Sequence, residues 1–290
     1  MWILLPQHEI DDEYGRLYRS CFSPARLQVM PTSARGEETA RSGTQSIERA
    51  IAVLECLRLS DRSISLSEIS REAGLTVSTT HRLLRALGKA GYVEQDHSTE
   101  HYRLGIGIAV LGQRAIENSG YQLARPVLAA LSERSGESAS LAVRRGAEVV
   151  VIDRVMGPAP LRFDHPTGAE LAAYASAMGK ALLAHSTSTI EAEVAQTHSL
   201  EQFTERTIID RDALANELAA TAVRGYAINI EERYVGVSGV AAPVLSASGR
   251  AHAAIGLQGP SIRLTPTRLE ELAPLVQNAA VEVASLVIRY

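Results

Sequence analysis

The chain has 290 residues, 46% hydrophobic and 21% charged, with a formal net charge of −4. That is long enough for two domains with cores of their own, and the balance is that of an ordinary globular protein; no apolar run approaches the length of a membrane span. Cys21 and Cys56 stand far apart and outside any CxxC spacing, which argues against a disulfide framework or thiolate metal site and for reduced thiols in the cytoplasm.

The opening Met-Trp-Ile-Leu-Leu is too short for a signal-peptide core and runs into Asp11, Asp12 and Glu13, so the protein is expected to stay inside the cell. Residues 1–43 lack sustained periodicity and are expected to form a poorly ordered extension, with Met30 a second possible start. Arg35 and Arg41 there suit an arm on DNA, although Glu37 and Glu38 lie between them.

Order is expected from Thr44. Ile47, Ala50, Ile51, Leu54 and Leu57 recur at helical spacing and predict a helix that completes a three-helix core or presents a face to a second subunit. Ser65 and Glu68 form a capping box that opens the next helix over Leu66, Ile69 and Ala73, and Gly74 stops it. Thr76 caps a further helix with apolar Leu83, Leu84 and Leu87. From Thr76 to Gly91 its ionised groups are Arg82, Arg85 and Lys89, with no acid among them. Strands at Tyr92–Gln95 and His101–Leu104 flank a polar tip, Asp96–Glu100.

This order predicts a winged helix-turn-helix over 44–105 that binds double-stranded DNA. Short side chains in the first turn of the second helix let it sink into a major groove, and its N-terminal N–H groups favour phosphate. The candidate DNA contacts are Ser65, Ser78, Thr79, Thr80, His81, Arg82 and Arg85, with His101, Tyr102 and Arg103 on the wing. The competing account is a helical hairpin with a solvated basic face.

Beyond the wing, Ile106–Asn118 reads as a helix, Ser119-Gly120 interrupts it, and Tyr121–Ser135 resumes; the joint between domains is expected at 106–120, with a second domain over 121–290. Ser138–Val143 and Val149–Val155 predict strands, Leu161–His165 a third, and Gly239–Leu245 with Ala251–Gln258 a hairpin. Helices are expected at Ser176–His185, Asp210–Arg224 and from Thr265, with Pro266 at a first helical position. Strands and helices intermix without regular alternation, so the fold class is α+β.

Catalytic and cofactor signatures are incomplete. Gly236-Val237-Ser238-Gly239 lacks the closing glycine of a nucleophile elbow, and Gly105-Ile106-Gly107 lacks the third glycine of a dinucleotide fingerprint. Asp164-His165 reads as a surface hydrogen bond. No enzyme activity, metal or cofactor is expected. Ala175–Lys180 opens a helix whose free N–H groups suit a carboxylate, and Gly239, Gly256 and Gly259 leave room for a ligand or for close packing.

The segments LSEISREAGLTVSTTHRLLRALGKAGYVEQD, YRLG, ASAMGKALLA, RGYAINIEERYVGVSGVAAPV and GPSIRLTPTRLEELAPLV resemble, in order and spacing, the IclR family of bacterial transcriptional regulators. The resemblance implies a winged helix-turn-helix, a linker helix and a GAF-like effector-binding domain. It further implies a homodimer or dimer of dimers on a near-palindromic operator, and a small organic acid as effector. On this resemblance the effector pocket would be lined by Pro160, Phe163, Ala177, Met178, Gly179, Asn229, Val237, Gly239, Gly256 and Gln258. The chain departs from the family where Ser238-Gly239 stands for Arg-Cys, Asn229 for an acid, Gly256 for a small hydroxyl residue, and Val77 for a polar residue. Lost anchors and added volume predict a larger, even aromatic, carboxylate. Two other readings stay open: a sensor whose winged helix binds protein, and an enzyme using Ser176, Ser238 and His165.

Overall fold

The computed structural model describes residues 41–163, 165–197 and 199–287, with the backbone alone at 41–43. The expected extension up to residue 40, with Met30, Arg35 and Cys21, lies outside the described residues, as does Asp164. The chain divides into two compact units at residues 115 and 116.

In the first unit, α1 (Arg41–Leu59), α2 (Leu66–Glu72) and α3 (Val77–Lys89) precede a two-stranded antiparallel wing, β1 (Val93–Gln95) and β2 (Tyr102–Leu104). Helix α1 starts three residues before the expected Thr44. The capping box of α2 is formed: the Ser65 hydroxyl accepts from the Glu68 N–H at 3.3 Å, and the Ser65 N–H donates to the Glu68 carboxylate at 2.8 Å. Gly74 then takes φ +64°, a left-handed conformation that turns the chain towards α3.

Val53, Cys56, Leu57, Ile64, Ile69, Leu84, Val93 and Tyr102 form the core of this unit. The buried face of α1 is therefore its C-terminal half. Ile47 and Ile51, expected on that face, are 63% and 53% exposed. Helix α4 (Ile106–Ser119) crosses the division between the units and buries no residue; Ile106, Val110 and Leu111 are exposed.

The second unit is one antiparallel sheet of six strands in the order β5-β4-β3-β8-β7-β6. These are β3 (Ser138–Arg145), β4 (Glu148–Val155), β5 (Glu170–Ala172), β6 (Ala227–Ile230), β7 (Val237–Leu245) and β8 (Ala251–Pro260). The third strand lies at β5 and not at Leu161–His165; Pro160 and Pro166 bracket that segment, and proline's missing N–H removes it from a ladder. The short β6 and helix α7 (Ile190–Gln196) had no sequence expectation.

Side chains alternate across the strands. Val240, Ala242 and Val244 of β7, with Ala253, Ile255 and Leu257 of β8, pack against α5 (Arg125–Ser135) and α9 (Pro266–Val287). Ala241 and Ala254 face the other way, onto α6 (Ala177–Ala184) and α8 (Arg211–Arg224). Gly239, Gly256 and Gln258 share that second parity, which brings them beneath the start of α6. No helix among the described residues is long and apolar enough to cross a membrane.

Candidate functional site

Helix α3 presents Ser78, His81, Arg82, Arg85 and Lys89 to solvent, and no acid stands in its first turn. Thr79 is half-buried, its N–H donating to the capping Thr76 hydroxyl at 3.3 Å. Thr80 is a correction to the expected contact set: it is 0% exposed and its hydroxyl donates to the Thr76 carbonyl at 3.1 Å. Thr80, Leu84 and Leu87 are spaced i, i+4, i+7, so Thr80 belongs to the core-facing stripe. Ser65 is half-buried and its hydroxyl donates to Glu68 at 2.7 Å, so its contribution to this face is to fix the start of α2.

On the wing, Tyr102 is a second correction. It is 7% exposed, sits in the core and exchanges backbone hydrogen bonds with Ile64 at 3.0 and 2.8 Å. Alternation along β2 turns Arg103 outward instead, where it pairs with Glu94 across the ladder at 3.0–3.1 Å. A phosphate contact by Arg103 has to compete with that carboxylate. His101 is half-buried at the strand's start.

In the second unit a cavity of about 40 Å³ lies between the sheet and the start of α6. Of the residues expected there, Ala177, Met178, Asn229, Val237, Gly239, Gly256 and Gln258 line it. Three do not. Pro160 is exposed, on a segment that does not reach the cavity wall. Phe163 stands behind the wall, its ring 5.0 Å from His165 and 5.3 Å from Tyr234. A Cβ on Gly179 would lie 2.2 Å from the Ala173 carbonyl oxygen, so this glycine serves close packing of α6 on the preceding turn.

The room expected from the other glycines is mostly occupied. A Cβ at Gly239 would meet the Leu257 carbonyl oxygen at 2.6 Å, and one at Gly256 the Met178 Cγ at 3.1 Å. Gly259 packs on Glu137, whose carboxylate is held by Arg263 at 2.6 and 2.8 Å. The Asn229 amide donates to the Ala175 carbonyl at 2.6 Å and its oxygen accepts from the Glu232 N–H at 3.2 Å. It ties the β6–β7 loop to the start of α6.

Sequence reasoning missed Arg233, Tyr234 and Leu171, which also line the cavity. The Arg233 guanidinium lies 3.6 Å over the Phe203 ring and 5.4 Å from that of Tyr234. The loop holding it is anchored by buried charge: Lys180 Nζ reaches Glu232 at 2.6 Å and Glu217 at 3.3 Å, and Arg224 joins Glu217 at 2.7 Å. Burial pushes the Glu232 carboxyl up despite Lys180. No motif marks these residues; only the three-dimensional convergence of loop, sheet and helix does.

His165 is a further correction. It is 6% exposed and packed among rings rather than on the surface, with its pKa pushed down to about 3 by burial, then by Arg233 and Arg154. Ser176, Ser238 and His165 all line the cavity, yet the hydroxyls bond elsewhere. Ser176 accepts from the Gly179 N–H at 3.1 Å, and Ser238 pairs with Ser261 at 2.8 Å. An imidazole held this far below its ordinary pKa is a poor proton acceptor, and both serine hydroxyls are engaged with other partners. Among the described residues no group of three or more His, Cys, Asp or Glu is placed to hold a metal.

Comparison with known proteins agrees with both units. Residues 117–285 match the family model described as bacterial transcriptional regulator IclR, C-terminal, and residues 46–97 match the IclR helix-turn-helix domain. The chain is 34% identical over 252 residues to the HTH-type transcriptional repressor AllR of Escherichia coli, covering 87% of this chain and 93% of that one. An IclR transcriptional regulator from Alicyclobacillus acidocaldarius has a similar structure, with a TM-score of 0.75 at 25% identity over 84% of this chain and 98% of its own. An IclR homolog from Microbacterium hydrocarbonoxydans, solved in complex with 4-hydroxybenzoate, shares the fold with a TM-score of 0.72 at 24% identity, covering 84% of this chain and 100% of that one.

Proposed function

The chain belongs to the IclR family of bacterial transcriptional regulators, and from that premise we propose a ligand-controlled operator-binding protein acting in the cytoplasm. Residues 44–105 bind double-stranded DNA, 106–120 link, and 121–290 bind a small organic acid. The observation that carries the second half is the cavity wall: it holds one cation, Arg233, and no carboxylate among its described residues. Such a site favours an anion. The 4-hydroxybenzoate complex supports the reading that this fold accommodates an acid.

The first half rests on α3, whose exposed cations Arg82, Arg85 and Lys89 face solvent with no acid in its first turn. A homodimer, or a dimer of dimers, presents two such helices to half-sites at a fixed spacing. Ile47 and Ile51 on α1, and Ile106, Val110 and Leu111 on α4, are exposed apolar side chains that a second copy could cover. Ligand that binds unequally to DNA-competent and incompetent arrangements shifts their populations. Operator occupancy represses, following the name of the AllR relatives.

Footprinting of the purified protein on DNA upstream of its own and neighbouring coding regions, at several salt concentrations, tests this. The reading requires a protected, roughly palindromic site. Absence of any protected site there, together with no specific capture across the genome, would instead favour a winged helix that binds protein.

A further inference from the structure

The β6–β7 loop is fixed from several sides. Glu231 holds a positive φ of 57°, which a non-glycine residue adopts only when its surroundings impose it. The Glu231 and Glu232 carbonyls accept from the Thr204 and Thr207 hydroxyls, both at 2.6 Å, and the Glu232 side chain is clamped by Lys180. Arg233 follows directly. Its guanidinium is stacked at 3.6 Å on Phe203, so its plane is set before any ligand arrives.

This preset cation is incompletely satisfied. Arg233 Nε is buried with no hydrogen-bond partner. A guanidinium carries five donors and no acceptor, so a buried Nε–H needs an acceptor from outside the side chain. Carboxylates match such a fork geometrically.

Deepening the reading that the cavity is the ligand site, we infer that Arg233 is the specificity-determining anchor for the ligand's charge, and that the ligand is a monocarboxylate. The remaining wall has nothing for a second charge. Leu171, Met178, Val237, Val240 and Leu257 are apolar, while Asn229, Gln258, Ser176 and Ser238 are neutral. A second carboxylate would be desolvated without a counter-charge. Burial keeps His165 neutral beside Arg233, so the imidazole adds a polar edge and no second cation. The Gln258 amide donates to the Ser140 hydroxyl at 3.4 Å, and its second N–H suits a keto or hydroxyl oxygen on the acid's body.

Calorimetry on the full chain tests this with pyruvate and 4-hydroxybenzoate, their amides pyruvamide and 4-hydroxybenzamide, and the dianions oxalate and succinate. At least one monocarboxylate binds saturably to the unsubstituted protein, and its amide and both dianions bind at least about tenfold more weakly. Arg233→Gln weakens the acid about ten- to a hundredfold, and Arg233→Lys recovers part of that loss. Thermal melting of each variant reports folding, and the amide comparison needs no variant. Val237→Trp, which fills the cavity, abolishes binding. An amide or dianion binding as well as the acid, or a folded Arg233→Gln of unchanged affinity beside a silent Val237→Trp, overturns the role of Arg233 and leaves the cavity reading standing. Binding that survives Val237→Trp overturns the cavity reading itself. No saturable binding by either acid at millimolar concentration overturns both.

Discussion

Gly179→Ala separates packing from ligand contact at the start of α6. A Cβ there would lie 2.2 Å from the Ala173 carbonyl oxygen and 2.4 Å from its Cα. Both obstacles are backbone, so no rotamer change relieves them, and α6 must lift by roughly an ångström to restore ordinary contact. Overpacking of this kind costs about 1–3 kcal/mol. Alanine's helix propensity returns about 1 kcal/mol relative to glycine, which leaves a net loss near 2 kcal/mol at the unrelieved end of the range. The control is Gly88→Ala in α3, where the added Cβ would meet only the Val93 carbonyl at an ordinary 3.7 Å. That variant should be neutral or gain up to about 1 kcal/mol. Urea unfolding followed by circular dichroism, without ligand, measures both. If Gly179→Ala keeps full stability yet loses affinity for an acid, Gly179 is a ligand contact and the packing argument is refuted.

Other consequences are checked the same way. Ser65→Ala removes both hydroxyl bonds of the capping box and should cost about 1 kcal/mol of first-unit stability by urea unfolding. Arg82→Ala or Arg85→Ala should weaken operator binding by about 1–3 kcal/mol where the side chain reads a base, or uniformly across sequences with a shallower salt slope where it meets phosphate. Thr80→Val, by contrast, should leave the salt slope unchanged in a binding titration, because Thr80 is buried. His165 is held neutral with its pKa near 3, whereas an unfolded histidine takes up a proton near pH 6.5. The unfolded chain therefore binds more protons in that window, and stability falls as pH drops through it, by about 2 kcal/mol between pH 7 and 5. His165→Leu should lose that share of the acid sensitivity in paired denaturation curves.

Much of the first unit is legible in its sequence because the signals are local. A capping box, a glycine stop and a cationic helix each lie within a few residues, and each settles one turn of chain. Thr80 and Tyr102 were legible too. Spacing places Thr80 on the stripe with Leu84, and alternation sends Tyr102 inward beside an outward Arg103, so periodicity decides over side-chain chemistry at both positions. The cavity is different. Gly239 and Gly256 carry the right parity on β7 and β8, yet whether a glycine makes room depends on what fills it. Here a Leu257 carbonyl and Met178 do. Arg233 has no local signature: its role depends on Phe203, thirty residues earlier in the chain, and on Lys180 from α6 holding its neighbour.

In the function proposed, one free energy links ligand in the cavity to protein on DNA. The direct measurement is reciprocal. Acid affinity is determined by calorimetry with and without a saturating operator duplex, and operator affinity by anisotropy with and without saturating acid, in one buffer. Linkage requires the same factor from both directions, typically about 5- to 150-fold for a coupling of about 1–3 kcal/mol. A saturable acid that leaves operator affinity unchanged, with operator equally without effect on the acid, would contradict it.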